Sequence, residues 1–183
     1  MKIAFVYFSS SGNTHQLVQA AINAVKENNI ETFVYRIQGS DIIDGRFDNR
    51  NLLQVLDHCH AIVFASPTYM GGVAAQFKAF ADATSETWCK QAWAGKIAAG
   101  ITCGSAPNGD QTSTLNYFVT FASQHGMLWL GLANAYGYSD NSVNRLGCQL
   151  GVVASCETDS VHATDLATAK YLGKRLSKLI KNN

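Results

Sequence analysis

Ala61-Ile62-Val63-Phe64-Ala65 runs without a polar side chain and closes on Ser66. A strand with one solvated face alternates apolar and polar residues. This run does not, so it predicts a strand buried on both faces, as in parallel sheets covered by helices. The other apolar runs fit that frame. Lys2–Phe8 reads as a first strand rather than a leader, being too short for a signal peptide and lacking a small-residue cleavage site. Thr32–Ile37 is β-branched and aromatic, a second strand. Ile97–Thr102 is the fourth. Met127-Leu128-Trp129-Leu130 begins a fifth, which Gly151–Ala154 completes after a loop of about 20 residues, long enough to be functional or partly structured.

Helical patterns separate these runs. Helix 1 starts near His15 with Leu17, Ala21, Ala24 and Val25 on one face. A polar connection, Gln38–Asn49, leads to a short helix marked by Leu52, Leu53, Val55 and Leu56. Gly72–Thr84 reads as a helix with Phe77, Phe80 and Ala81 inward. Gln111–Gln124 carries Leu115, Phe118, Val119 and Ala122. Ala163–Lys181 shows a stripe of Leu166, Ala169, Leu172, Leu176, Leu179 and Ile180. The alternation predicts an α/β fold, a doubly wound five-stranded parallel sheet with helices on both faces, over residues 1–183 as a single domain. Ligands of such sheets bind beyond the C-terminal strand ends. The loops after strands 1, 3 and 4 are therefore where chemistry is expected.

Charge narrows the classes. With 14 basic and 13 acidic residues the chain has no basic footprint for nucleic acid and no acidic tail. No apolar run reaches the roughly 18–20 residues of a membrane span. The five cysteines are odd in number and lack zinc-site spacing, so no metal is expected and the thiols read as free, in a cytoplasmic protein.

The first loop, Ser9-Ser10-Ser11-Gly12-Asn13-Thr14, brings four hydroxyls to the start of a helix. The helix dipole and its open N–H groups favour an anion there. Ordinary N-capping needs one hydroxyl. The loop has no Lys or Arg, so hydroxyls and backbone are expected to hold a phosphate without a cation. Rival loops fail on their key residues: there is no Gly-x-Gly-x-x-Gly and no Gly-Lys-Ser/Thr. The Arg of a tyrosine-phosphatase loop is replaced by Gly109 after Cys103, and the strand-3 acid of a response regulator by Ser66.

The second loop, Ser66-Pro67-Thr68-Tyr69-Met70-Gly71-Gly72, offers a ring, a thioether and glycines that let backbone approach a flat ligand. Read alone it is equally an ordinary turn. The third, Thr102-Cys103-Gly104-Ser105-Ala106-Pro107-Asn108-Gly109-Asp110, is small and polar; alone it is a strand-to-helix turn with Asp110 as a cap. Together the loops outline one site with a phosphate at one end and a ring at the other, the shape of FMN.

On these residues the chain resembles the flavodoxin superfamily, and the fold it implies is flavodoxin-like. The resemblance is nearer to the WrbA-like NAD(P)H:quinone oxidoreductases. It rests on Ser66–Gly71 leading into Gln76-Phe77-Lys78-Ala79-Phe80-Ala81-Asp82-Ala83-Thr84, then Trp88, Gly95-Lys96 and His125-Gly126-Met127. It implies that Ser9, Ser10, Ser11, Gly12, Asn13 and Thr14 bind the FMN phosphate. Pro67, Thr68, Tyr69, Met70 and Gly71 would lie beside the isoalloxazine, and Cys103, Gly104, Ser105, Ala106 and Asn108 along its polar edge. Trp88 and Tyr69 would form the substrate pocket. The family's His-His-Gly reads Gln124-His125-Gly126 here, which leaves Gln124 facing the flavin and His125 either catalytic or structural. The remaining tryptophans read as core (Trp129) and as interface or hinge packing (Trp93).

The implied activity is a two-electron, ping-pong reduction of a quinone by NADH or NADPH. The flavin supplies the chemistry and the protein supplies binding and electrostatics. Partners would be these small molecules and further copies of the chain in a homodimer or homotetramer. The alternatives are an electron-carrier flavodoxin and a flavin-binding regulatory protein, neither with a substrate of its own. Carriers of that family are strongly acidic, and the balanced charge here argues against one.

Overall fold

The computed structural model describes residues 1–135, 142–156 and 160–182. Its strands are β1 (Lys2–Tyr7), β2 (Glu31–Arg36), β3 (Ile42–Ile43), β4 (Arg46–Phe47), β5 (Ala61–Tyr69), β6 (Gly72–Val73), β7 (Ile97–Gly104), β8 (Leu128–Trp129) and β9 (Val152–Ser155). Its helices are α1 (Asn13–Glu27), α2 (Arg50–Asp57), α3 (Ala75–Ala83), α4 (Ser85–Cys89), α5 (Asp110–Gln124) and α6 (Ala163–Lys181).

The main sheet runs β2-β1-β5-β7, and β8 and β9 both pair with β7, all in parallel. Leu128 lies opposite Ile97 and Val152 opposite Ile101. The fifth position is thus one strand in two halves, as the sequence predicts. Residues 136–141 of that loop lie outside the described residues.

Strand alternation sorts the core into two layers. From β1, Ile3, Phe5 and Tyr7 join residues of α1 and α6 on one face. Ala4 and Val6 join Leu52, Phe77, Phe80, Leu115 and Phe118 of α2, α3 and α5 on the other. The α1–α6 pair is close enough that a Cβ on Gly173 would sit 2.5 Å from the Ala21 carbonyl oxygen. Among the described residues no helix is long and apolar enough to cross a membrane.

Three readings change. The polar connection 38–49 holds a two-stranded hairpin, β3–β4, turned at Asp44-Gly45 with φ of 50° and 77°. The segment 72–84 is not one helix: β5 runs on to Tyr69 and folds back as β6, and α3 starts only at Ala75. Periodicity could not separate these, because Val73 and Phe77 also satisfy a helical face. Trp93 is fully buried core rather than interface or hinge. Its indole N–H donates to Asp57 Oδ1 at 2.9 Å.

Candidate functional site

The loops after β1, β5 and β7 stand side by side because those strands are parallel neighbours, with Tyr7 opposite Ala65 and Pro67 opposite Cys103. The first and third loops touch directly: Thr14 Oγ1 is 3.3 Å from Cys103 Sγ.

In the first loop Gly12 is the N-cap of α1, with φ of 98°. That left-handed backbone favours glycine, and glycine offers no side-chain acceptor, so the helix start is not closed by its cap residue. The four hydroxyls divide into two pairs. Ser9 and Thr14 are buried. Ser9 Oγ accepts from the His15 N–H at 3.2 Å, and Thr14 meets Cys103. Ser10 and Ser11 are exposed. The inner pair shapes the loop and the outer pair is open to a ligand.

The expectation of a loop without a cation needs correction. Arg36, the last residue of β2, donates from Nη2 to the Ser9 carbonyl at 2.8 Å. A positive charge therefore lies against the loop, brought there by the neighbouring strand rather than by the loop sequence. His15 was also missed: its Nδ1 is 2.7 Å from the Tyr7 hydroxyl, and the two rings stack. Burial raises the Tyr7 phenol above its ordinary pKa.

The second loop is a two-residue hairpin turn, Met70-Gly71, with φ of 47° and 77°. Positive φ at both positions is the geometry that matches strand twist in tight hairpins. For Met70 it is an uncommon conformation. The loop is braced from below. Thr68 Oγ1 lies 2.9 Å from Thr102 Oγ1 and 2.8 Å from Thr114 Oγ1. The Ala74 N–H donates to Ser66 Oγ at 2.9 Å. Pro67 is buried. With its hydroxyl engaged inward, Thr68 presents mainly backbone to a ligand. Tyr69 and Met70 are exposed, forming an apolar ledge above the sheet edge.

The third loop is held by a residue that sequence reasoning passed over. Gln111, in the first turn of α5, is buried and donates from Nε2 to the Ala106 carbonyl at 2.5 Å. A Cβ on Gly104 would lie 2.8 Å from that Nε2, so glycine there makes room for the brace. Asn108 donates to the Leu146 carbonyl at 3.0 Å and is tied to the long loop instead of facing outward. Ser105 and Ala106 are exposed, while Cys103 is buried behind the loop.

Trp88, Gln124 and His125 are not at these loops within one chain. α5 leaves the third loop at Asp110 and carries Gln124 to its other end, about 20 Å away at 1.5 Å per residue. There the Gly95 N–H donates to the Gly126 carbonyl beside the N-terminal end of β7. A motif fixes order along the chain, and a helix of this length converts that order into distance. These residues line a separate cavity of about 440 Å³ with Lys78, Asp82 and Tyr117. His125 is buried, its Nε2 2.9 Å from Thr84 Oγ1 and its ring 4.4 Å from that of Trp93. Burial depresses its pKa to about 4, so the ring is neutral near pH 7. Burial and Asp82 push the Tyr117 phenol up to about 12. Trp88 and Gln124 are exposed.

FMN fits the three-loop edge on the donor set alone: the glycine-capped start of α1, two exposed hydroxyls and Arg36 for the phosphate, and the Tyr69–Met70 ledge for the ring. Gln111 Oε1 is buried without a hydrogen-bond partner, a spare acceptor behind the loop expected to meet the ring's polar edge.

Known proteins resemble this chain in family, sequence and fold. The family model described as NADPH-dependent FMN reductase matches residues 1–136. The chain is 33% identical to "Flavodoxin FldP" of Pseudomonas aeruginosa, over 97% of this chain and 96% of that one. It is 27% identical to an "NAD(P)H dehydrogenase (quinone)" of Geotalea daltonii, over 98% and 96%. Among solved structures, a flavodoxin, WrbA-like protein from Agrobacterium tumefaciens superposes with a TM-score of 0.77 at 31% identity, covering 99% of this chain and 98% of that one.

Proposed function

This chain belongs to the NADPH-dependent FMN reductase family, and from that membership we propose that it holds FMN across its three sheet-edge loops and reduces a quinone with NADH or NADPH. One observation carries the reading: a helix start with glycine as its cap residue, an exposed apolar ledge and a braced polar loop lie on adjacent parallel strands. FMN, when bound, supplies the two-electron chemistry between nicotinamide and quinone.

The chain's own residues do the rest. Ser10, Ser11 and the start of α1 take the phosphate, with Arg36 adding charge. Tyr69 and Met70 offer stacking area, and Gly71 keeps the turn tight. The Gly104–Asn108 backbone, fixed by Gln111, meets the polar edge of the ring. His125, neutral and engaged with Thr84, is not an imidazolium acid near pH 7, which supports a structural role.

Trp88 and Gln124 enter through a second copy. Trp88 and Leu128 are exposed apolar residues at one end of the molecule, and Tyr69 and Met70 at the other. Their pairing in a homodimer or homotetramer would close the substrate side and supply the Gln124 amide to a quinone oxygen. Five free thiols suit the reducing cytoplasm as its location.

Anaerobic stopped-flow tests the reading. Flavin absorbance in the FMN-loaded protein bleaches within a turnover on NADH or NADPH and returns on adding a quinone. Bleaching no faster than that of free FMN sinks it. The similarity to a flavodoxin favours the carrier as second reading, and that outcome would select it. Trp88→Ala should raise the quinone KM and shift the assembly toward monomer by light scattering, with FMN affinity unchanged.

A further inference from the structure

The Gly104–Asn108 loop is tied at both ends to one carboxylate that the reaction above does not use. Asp165, in the first turn of α6, is 1% exposed. It accepts two hydrogen bonds from Arg145, from Nε to Oδ1 and from Nη2 to Oδ2, each at 2.8 Å. Its Oδ2 also accepts the Ser155 N–H at 3.3 Å. Each of these partners stands one residue from a contact with the loop. Leu146, next to Arg145, accepts at its carbonyl from Asn108 Nδ2 at 3.0 Å. Cys156, next to Ser155, donates its N–H to the Gly104 carbonyl at 2.8 Å. The first route is itself stiff. The Asn144 N–H donates to Thr168 Oγ1 at 2.7 Å, and Asn144 Oδ1 accepts the Cys148 N–H at 2.9 Å. The turn 144–148 is therefore held to α6 by two side chains one helical turn apart, Asp165 and Thr168.

We propose that Asp165 is a positioning residue for the flavin ring: it fixes both ends of Gly104–Asn108 and so sets where that backbone meets the ring's polar edge. The ion pair is a poor source of stability, since the cost of burying a carboxylate offsets much of its attraction to Arg145. What it supplies is direction. A planar guanidinium meeting a carboxylate through two parallel hydrogen bonds has one arrangement, and Lys has no equivalent. With Oδ2 shared by Ser155, the carboxylate also fixes the long loop relative to the end of β9. Gln111 braces the middle of the loop from α5, in one core layer, and Asp165 sets its ends from α6, in the other. The phosphate loop has supports of its own in Arg36 and Cys103. The effect of Asp165 therefore falls on the ring rather than on the phosphate. This role toward the ring rests on the FMN reading; the restraint of the loop does not.

The test uses the full chain. Asp165→Asn is expected to speed amide hydrogen exchange at residues 104–108 of the flavin-free protein and to leave residues 9–14 unchanged. Riboflavin and FMN should both bind about tenfold more weakly, the worth of one or two hydrogen bonds to the ring. The inhibition constant of inorganic phosphate against FMN should not move. Arg145→Lys keeps the charge and loses the fork, so it should show the same ring-specific loss, and it decides the matter if Asp165→Asn fails to fold. In Asn108→Ala one route is already cut, so adding Asp165→Asn there should cost less than it does in the native chain. Unchanged exchange at residues 104–108 overturns the restraint. A loss shared equally by phosphate, or native ring affinity in Arg145→Lys, overturns the positioning of the ring. If the native chain binds neither FMN nor riboflavin, the proposed function fails and the ring role with it, while exchange still decides the restraint.

Discussion

Arg36 Nη2 donates to the Ser9 carbonyl at 2.8 Å, so the end of one strand sets the charge at the loop that follows its neighbour. Arg36→Ala is expected to weaken FMN about fivefold, in line with an exposed, charge-assisted hydrogen bond. The effect should shrink as salt rises. Titration with FMN and with riboflavin separates the possibilities. Equal losses for both would mean that Arg36 supports the loop without serving the phosphate.

His125 makes stability depend on pH. Its folded pKa, about 4, lies below the roughly 6.5 of an unfolded chain. Between those values the unfolded chain binds more protons. The contribution is therefore present above about pH 6.5 and is lost as pH falls toward 4, by at most about 3 kcal/mol. Urea midpoints at pH 7 and pH 5 should differ in that direction in the native chain and less in His125→Gln. An NMR titration placing the imidazole midpoint above pH 6 would falsify the assignment.

Gly104→Ala brings a methyl group against Gln111 Nε2. The amide can swing away, so folding should survive, but the hydrogen bond to Ala106 is lost. FMN and riboflavin should both bind several-fold more weakly, with the urea midpoint nearly unchanged. Gln111→Ala should reproduce the binding loss without the steric change. Wild-type affinity in both variants removes the loop brace from the site.

Gly173→Ala tests the scaffold instead. Its methyl group would meet the Ala21 carbonyl, and backbone cannot rotate aside. A loss of about 1–3 kcal/mol is expected from overpacking, read as a lower urea midpoint. FMN affinity, measured where the protein is folded, should not move. An unchanged midpoint would show that α1 and α6 slide apart freely.

Much of this molecule was legible in its residues. The apolar run Ala61–Ala65, buried throughout in β5, announced a parallel sheet. The order of runs led to a strand interrupted between Trp129 and Val152. The three loops could be named because parallel topology fixes which strand ends share an edge. The hairpin at Met70-Gly71 was missed because a two-residue strand leaves no period to detect.

Side-chain purpose was harder to read. Four hydroxyls in Ser9–Thr14 look equivalent in sequence, yet two turn inward to hold the loop. Gln111 looked like one more polar helical residue until burial placed its amide under Ala106. Local periodicity is a property of consecutive residues, so the chain carries its strands, helices and loop order openly. Arg36 beside Ser9, Thr14 beside Cys103, and the length of α5 between Asp110 and Gln124 are distances across the fold. They arise only when the strands pair and the layers pack, and they decide which of the named residues share a site.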